Sequence, residues 1–151
     1  MNKKFVDQIR SNNQIAISKA ITSIESGNIF NKSFLDEIYK YSTSSLRIGI
    51  TGPPGAGKST LTDKLIDKFL KSNKSVGVIA VDPTSPFTGG ALLGDRVRMN
   101  NYLWNDDVFI RSLGARGELG GLSKKTQEIG DILAASGKDI IIYETVGVGQ
   151  G

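Results

Sequence analysis

Gly52-Pro53-Pro54-Gly55-Ala56-Gly57-Lys58-Ser59 is a complete G-x-x-x-x-G-K-[ST] stretch. A short apolar segment, Leu46-Arg47-Ile48-Gly49-Ile50-Thr51, runs into it, and Leu61, Leu65, Ile66 and Phe69 follow at helical spacing. Strand, glycine loop and helix, in that order, are the context in which this motif cradles phosphate; the plain alternative is a glycine-rich turn carrying a surface lysine. A triphosphate is compact and highly anionic. Backbone N–H groups can surround it only where no Cβ intrudes, and the following helix adds its positive dipole end. Lys58 is expected at the β- and γ-phosphates, and the Ser59 hydroxyl at Mg²⁺. Thr60 adds a contact to the α-phosphate. Pro53 and Pro54 stiffen the entry and remove two donors, so the N–H cradle begins after them. Residues 52–60 form the first part of the expected nucleotide-binding set.

The bulk properties narrow the chemistry. The chain has 151 residues, 38% of them hydrophobic and 23% charged, which describes one globular domain with a real core. No apolar run approaches the ~20 residues needed to span a membrane. Lys3 and Lys4 have no continuous apolar stretch behind them, so no secretory signal is expected and the reading is cytoplasmic. There is no cysteine and no histidine. Disulfides, thiol catalysis and thiolate or imidazole metal sites are excluded, and a metal must be held by oxygen, which points to Mg²⁺. The net charge of +4 comes from scattered lysines. It reads as solvation and phosphate attraction, without a nucleic-acid footprint.

Residues 3–26 read as helical, with Phe5 and Ile9, then Ile17, Ile21 and Ile24, at spacings of three and four. Gly27-Asn28 breaks the pattern. Ser33 opens a Ser-x-x-Asp capping box with Asp36, followed by Leu35, Ile38 and Tyr39. Residues 1–44 are thus a helical N-terminal extension, either a cap over the first strand or a partner-docking arm. Residues 45–151 are the nucleotide-binding domain. Strands are expected at 46–51, 76–82, 108–112 and 139–144, and helices at 58–71, about 95–104 and 122–136. Ile140, Ile141 and Ile142 lack polar alternation, as in a strand buried on both faces of a parallel sheet. The fold class is α/β, a P-loop NTPase with a mostly parallel sheet sandwiched by helices.

Ligands of such sheets sit at the carboxyl ends of the strands. An acidic residue closing a buried strand beside a phosphate loop is the Walker-B arrangement. Glu144 is that residue, expected to hold Mg²⁺ through a water or to orient the attacking water. Gly147 would let the backbone approach the γ-phosphate. Asp82 and Asp95 are candidate Mg²⁺ ligands, with Asp95 equally placed as a helix N-cap. Arg98 could neutralise transition-state charge or form a surface ion pair. The glycine-rich stretch 114–121 reads as a switch or partner-contact loop, or as an ordinary flexible loop.

Taken as a set, several stretches resemble the MeaB/ArgK/MMAA GTPases. They are residues 52–60, Val-Asp-Pro-Thr-Ser-Pro-Phe-Thr-Gly-Gly at 81–90, Leu-Gly-Asp-Arg at 93–96, Arg-Gly-Glu-Leu-Gly-Gly at 116–121 and Glu-Thr-Val-Gly-Val-Gly-Gln at 144–150. These GTPases are the G-protein chaperones of methylmalonyl-CoA mutase, in the SIMIBI class of P-loop proteins. The resemblance implies Mg-dependent GTP binding and hydrolysis that gates adenosylcobalamin delivery to a B12-dependent acyl-CoA mutase and protects it. It implies GTP and GDP as ligands, a homodimer in the full-length family, and no membrane or nucleic-acid partner. Lys58, Ser59, Asp82, Asp95, Arg98 and Glu144 fall on the family's functional positions. No motif implies direct cobalamin binding. The family's Asn-Lys-x-Asp guanine-recognition motif does not occur in the 151 residues, so a truncated GTPase domain is expected. The competing readings are an ATP-using P-loop enzyme, such as the arginine/ornithine transport kinase once assigned to this family, and a non-catalytic nucleotide-binding module.

Overall fold

The computed structural model describes residues 2–27, 32–52, 58–82, 101–102, 105–114 and 119–146. Its elements are α1 (Asn2–Arg10), α2 (Gln14–Glu25), α3 (Lys32–Lys40), β1 (Leu46–Gly52), α4 (Lys58–Lys71), β2 (Val76–Asp82), β3 (Val108–Gly114), α5 (Leu119–Ala135) and β4 (Ile140–Val146). The four strands form one sheet in the order β1-β4-β2-β3, and every neighbouring pair is parallel. The α/β class with helices on a parallel sheet is therefore as expected. The helix expected near 95–104 falls almost entirely outside the described residues.

The isoleucine run of β4 explains the layering. Ile140 and Ile142 join a cluster with Val76, Val78, Val108 and Ile66, on the face covered by α4. Ile141 joins Ile79, Val81, Phe109 and Leu113 on the opposite face, against Ile129, Ile132 and Leu133 of α5. Side chains alternate across a strand, so a central strand under two helical layers must be apolar at every position.

The N-terminal helices belong to that second layer. Val6, Ile9, Ile17, Ile21, Ile24, Phe34 and Ile38 are buried in the same cluster as α5 and the sheet, and Phe5 stacks on Phe34 with ring centroids 5.7 Å apart. The 3–26 pattern proves to be two helices. Asn12 takes a left-handed conformation, φ 64, and the Asn12 and Asn13 N–H groups close α1 on the Ile9 and Gln8 carbonyls. The Asn13 side chain then accepts from Ala16 N at 3.0 Å and caps α2. Hydrophobic spacing could not register this break, because both helices bury the same face. In α3 the apolar side turns to Phe34 and Ile38 and leaves Tyr39 59% exposed. In α4 the stripe excludes Leu61, which is 49% exposed.

α5 begins at Leu119, earlier than the glycine pattern suggested. Its first turn absorbs Gly120 and Gly121, where few intrahelical bonds are at stake. It ends as expected. Gly137 has φ 93, and the Gly137 and Lys138 N–H groups close on the Ala134 and Leu133 carbonyls.

Candidate functional site

All four strands finish at one edge: β1 at Gly52, β2 at Asp82, β3 at Gly114 and β4 at Val146. β1 and β4 are direct neighbours, with Ile50 opposite Glu144 and Gly52 opposite Val146. On its other side β4 pairs with β2, placing Ala80 opposite Glu144 and Val81 opposite Thr145. Glu144 therefore lies between the strand that enters the phosphate loop and the strand that ends in Asp82. It has the parity of Ile140 and Ile142, so it belongs to the face that α4 covers. α4 starts at Lys58, with Ser59 and an exposed Thr60 in its first turn.

Glu144 is only 5% exposed. A carboxylate is kept so deeply only where partners or a cation repay its desolvation. The sequence pattern closes this strand at Glu144, but β4 runs on to Val146, so Glu144 lies just inside its carboxyl end. Pro53, Pro54, Gly55, Ala56 and Gly57 of the phosphate loop, and Asp95, Arg98 and Gly147, lie outside the described residues. Of Gly52, Lys58, Ser59 and Asp82, the structure gives the backbone positions, and these bring them to the same sheet edge as Glu144.

The residue types carried to this edge are oxygen donors, the kind that Mg²⁺ takes. Asp82 ends β2, Glu144 lies just inside the end of the neighbouring β4, Ser59 is in the first turn of α4, and the sequence has no cysteine or histidine. Among the described residues no group of three or more acidic side chains converges.

A second polar cluster, not foreseen from the sequence, lies on the α5 face of the sheet. Arg47 Nη2 donates to Asp131 Oδ1 at 2.7 Å and to the Ser42 carbonyl at 3.2 Å. Arg47 Nη1 donates to the Tyr143 hydroxyl at 3.1 Å. Burial opposes the Arg47 charge, but the hydrogen bond to Asp131 and the neighbouring oxygens outweigh it and raise its pKa above the ordinary value. Burial raises the Tyr143 pKa, and Arg47 only partly offsets this. The legible signals were an arginine and a tyrosine interrupting apolar strands, and a glycine, Gly130, inside a helix.

A G-x-x-x-x-G-K-[ST] sequence joining β1 to α4 in a parallel sheet, with a buried glutamate on the neighbouring strand, defines the P-loop nucleotide-binding class. A family model described as "Methylmalonyl Co-A mutase-associated GTPase MeaB" matches residues 17–151. A Pyrococcus horikoshii protein named "Putative GTPase" is 51% identical over 147 residues, covering 97% of this chain and 46% of its own length. GTPase ArgK of Escherichia coli is 40% identical over 149 residues, covering 96% and 45%. A crystal structure titled LAO/AO transport system kinase superposes with a TM-score of 0.76 at 30% identity, covering 99% of this chain and 44% of that one. The chain belongs to the MeaB family of GTPases. It spans about half the length of the curated relatives it matches. Among the described residues no helix is long and apolar enough to cross a membrane.

Proposed function

We propose that this chain carries the phosphate and Mg²⁺ half of a GTPase site, in a chaperone that gates adenosylcobalamin loading of a methylmalonyl-CoA mutase and protects the enzyme. The observation that carries the reading is Glu144, buried on the strand that pairs directly with the phosphate-loop strand. The family's description as mutase-associated supports the partner. A Caenorhabditis elegans relative, 37% identical over 163 residues, is named for methylmalonic aciduria type A.

In this reading Gly52 through Thr60 surround the triphosphate with backbone N–H groups, and Lys58 pairs with the β- and γ-phosphates. Ser59, Asp82, Asp95 and Glu144 would hold Mg²⁺, which when bound neutralises charge on the phosphate oxygens. Glu144 either orients the attacking water or holds the cation through a water. Arg98 offsets negative charge as the terminal phosphoryl group departs, and Gly147 lets the backbone approach that group. The helical extension, residues 1–44, serves the nucleotide-binding domain, residues 45–151, by shielding its second face. The full-length protein works in the cytoplasm as a homodimer.

Titrating the complete polypeptide with fluorescent GTP and ATP analogues tests the base. GTP should bind more tightly, and tighter ATP binding would sink the GTPase reading. The solved relative's title, a transport system kinase, supports a second reading as a small-molecule kinase. Phosphate transfer from ATP to a basic amino acid, without net hydrolysis, would favour it.

A further inference from the structure

We infer that Tyr143, held by Arg47 and Asp131, is a positioning residue for Glu144. The inference rests on the GTPase reading above and assigns to that site a support on the opposite face of the sheet.

Tyr143 and Glu144 are consecutive on β4 and lie on opposite faces. Glu144 is on the α4 face, where the phosphate-loop helix begins, and Tyr143 packs into the cluster on the α5 face. The Tyr143 hydroxyl is not merely packed beside apolar neighbours. It receives Arg47 Nη1 at 3.1 Å, while Nη2 of the same guanidinium is anchored on Asp131 at 2.7 Å. Helix α5 is shaped to admit this group. A Cβ built on Gly130 would collide with the Tyr143 hydroxyl and lie 3.0 Å from its Cζ and 3.2 Å from Arg47 Nη1. A helix-interior glycine costs about 1 kcal/mol relative to alanine, and here it makes the notch that seats the phenol.

The three residues stand on the elements that also carry the site. Arg47 is on β1, which runs into the phosphate loop. Tyr143 is on β4, one peptide before the buried glutamate. Asp131 is on α5, whose first turn lies within the glycine-rich stretch 114–121. A rotation of β4 about its axis moves both faces at once. Pinning the phenol through a charged, half-buried network therefore fixes the angle at which the Glu144 carboxylate is presented. Placement errors of about 1 Å at a reacting group can cost about 100-fold in rate, so a support of this kind is worth a polar group in an otherwise apolar layer.

The test is Tyr143→Phe in the complete polypeptide, with nucleotide affinity and turnover measured separately, combined with Glu144→Gln in a double-mutant cycle. We expect Tyr143→Phe to leave the Kd of a fluorescent GTP analogue within about twofold and to lower kcat by roughly five- to twentyfold. Asp131→Asn should behave likewise. In the Glu144→Gln background, Tyr143→Phe should cost less than about twofold further, because the carboxylate it positions is gone. A lowered melting temperature with unchanged kcat, or full additivity with Glu144→Gln, overturns the inference and leaves the cluster as packing alone. If Glu144→Gln hydrolyses GTP like the parent protein, the GTPase assignment of Glu144 itself fails, and that result is read from the single variant.

Discussion

Lys58 opens α4 where the phosphate loop ends, and in the proposed site it is the point charge for the terminal phosphates. Charge-assisted contacts are worth about 1.5–3 kcal/mol each. Lys58→Ala should therefore weaken GTP binding by roughly 100-fold in calorimetry; unchanged affinity would remove the phosphate-loop assignment. Gly130 makes a prediction with an unusual sign. In an exposed helix, glycine to alanine stabilises by about 1 kcal/mol. Here the added methyl meets the Tyr143 phenol, and overpacking costs about 1–3 kcal/mol. Gly130→Ala should lower the urea midpoint, and the same change in a Tyr143→Val background should raise it. The motif at 52–59 is legible in the sequence because it is local to eight consecutive residues, of which 53–57 lie outside the described structure. Arg47, Asp131 and Tyr143 were not, because they are far apart in the chain and meet only once β1, α5 and β4 are packed.

At the level of elements, the N-terminal helices are part of the main core. Ile17 and Ile21 of α2 are fully buried among α5 and sheet residues. Arg111 of β3 ties the end of α2 to the sheet through Glu25, at 2.6 Å, and Thr22, at 3.0 Å. Truncating a buried isoleucine costs about 2–5 kcal/mol. Ile21→Ala should therefore destabilise the whole chain in one cooperative transition, with fluorescence of the single Trp104 and far-UV circular dichroism moving together. Separate transitions would mean that the extension folds by itself. The element list followed closely from periodicity and glycine placement, and the strands at 76–82 and around 140 came out where expected. What periodicity missed was the stop within 3–26. That stop depends on the Asn12-Asn13 backbone, and hydrophobic spacing does not report a helix break that keeps its buried face.

Across the molecule, Lys138 reaches back to the turn between α1 and α2. It is 2% exposed, and its Nζ donates to Asn12 Oδ1 at 2.6 Å, while Asn12 Nδ2 donates to the Asp106 carbonyl at 3.1 Å. Burial lowers the Lys138 pKa below its ordinary 10.5, and the charges of Asp107 and Asp106 only partly restore it. The unfolded chain therefore holds the proton more tightly than the folded one. Ionised Lys138 is a cost to stability at neutral pH, and that cost is relieved as pH rises from the lowered folded value toward 10.5. Chemical denaturation across that window should show the parent gaining stability relative to Lys138→Met. A pH-independent difference would show that the amine is not penalised in the fold.

By itself the sequence determined the parallel α/β class and the phosphate-loop motif, because each follows from residue types at short spacing. The tertiary structure decided which strands are neighbours. It placed Glu144 beside the phosphate-loop strand, buried the N-terminal helices in the main core and brought Arg47, Asp131 and Tyr143 together. Those outcomes depend on strand order and helix packing, which arise from long-range burial of apolar faces and leave no mark in any short stretch of residues.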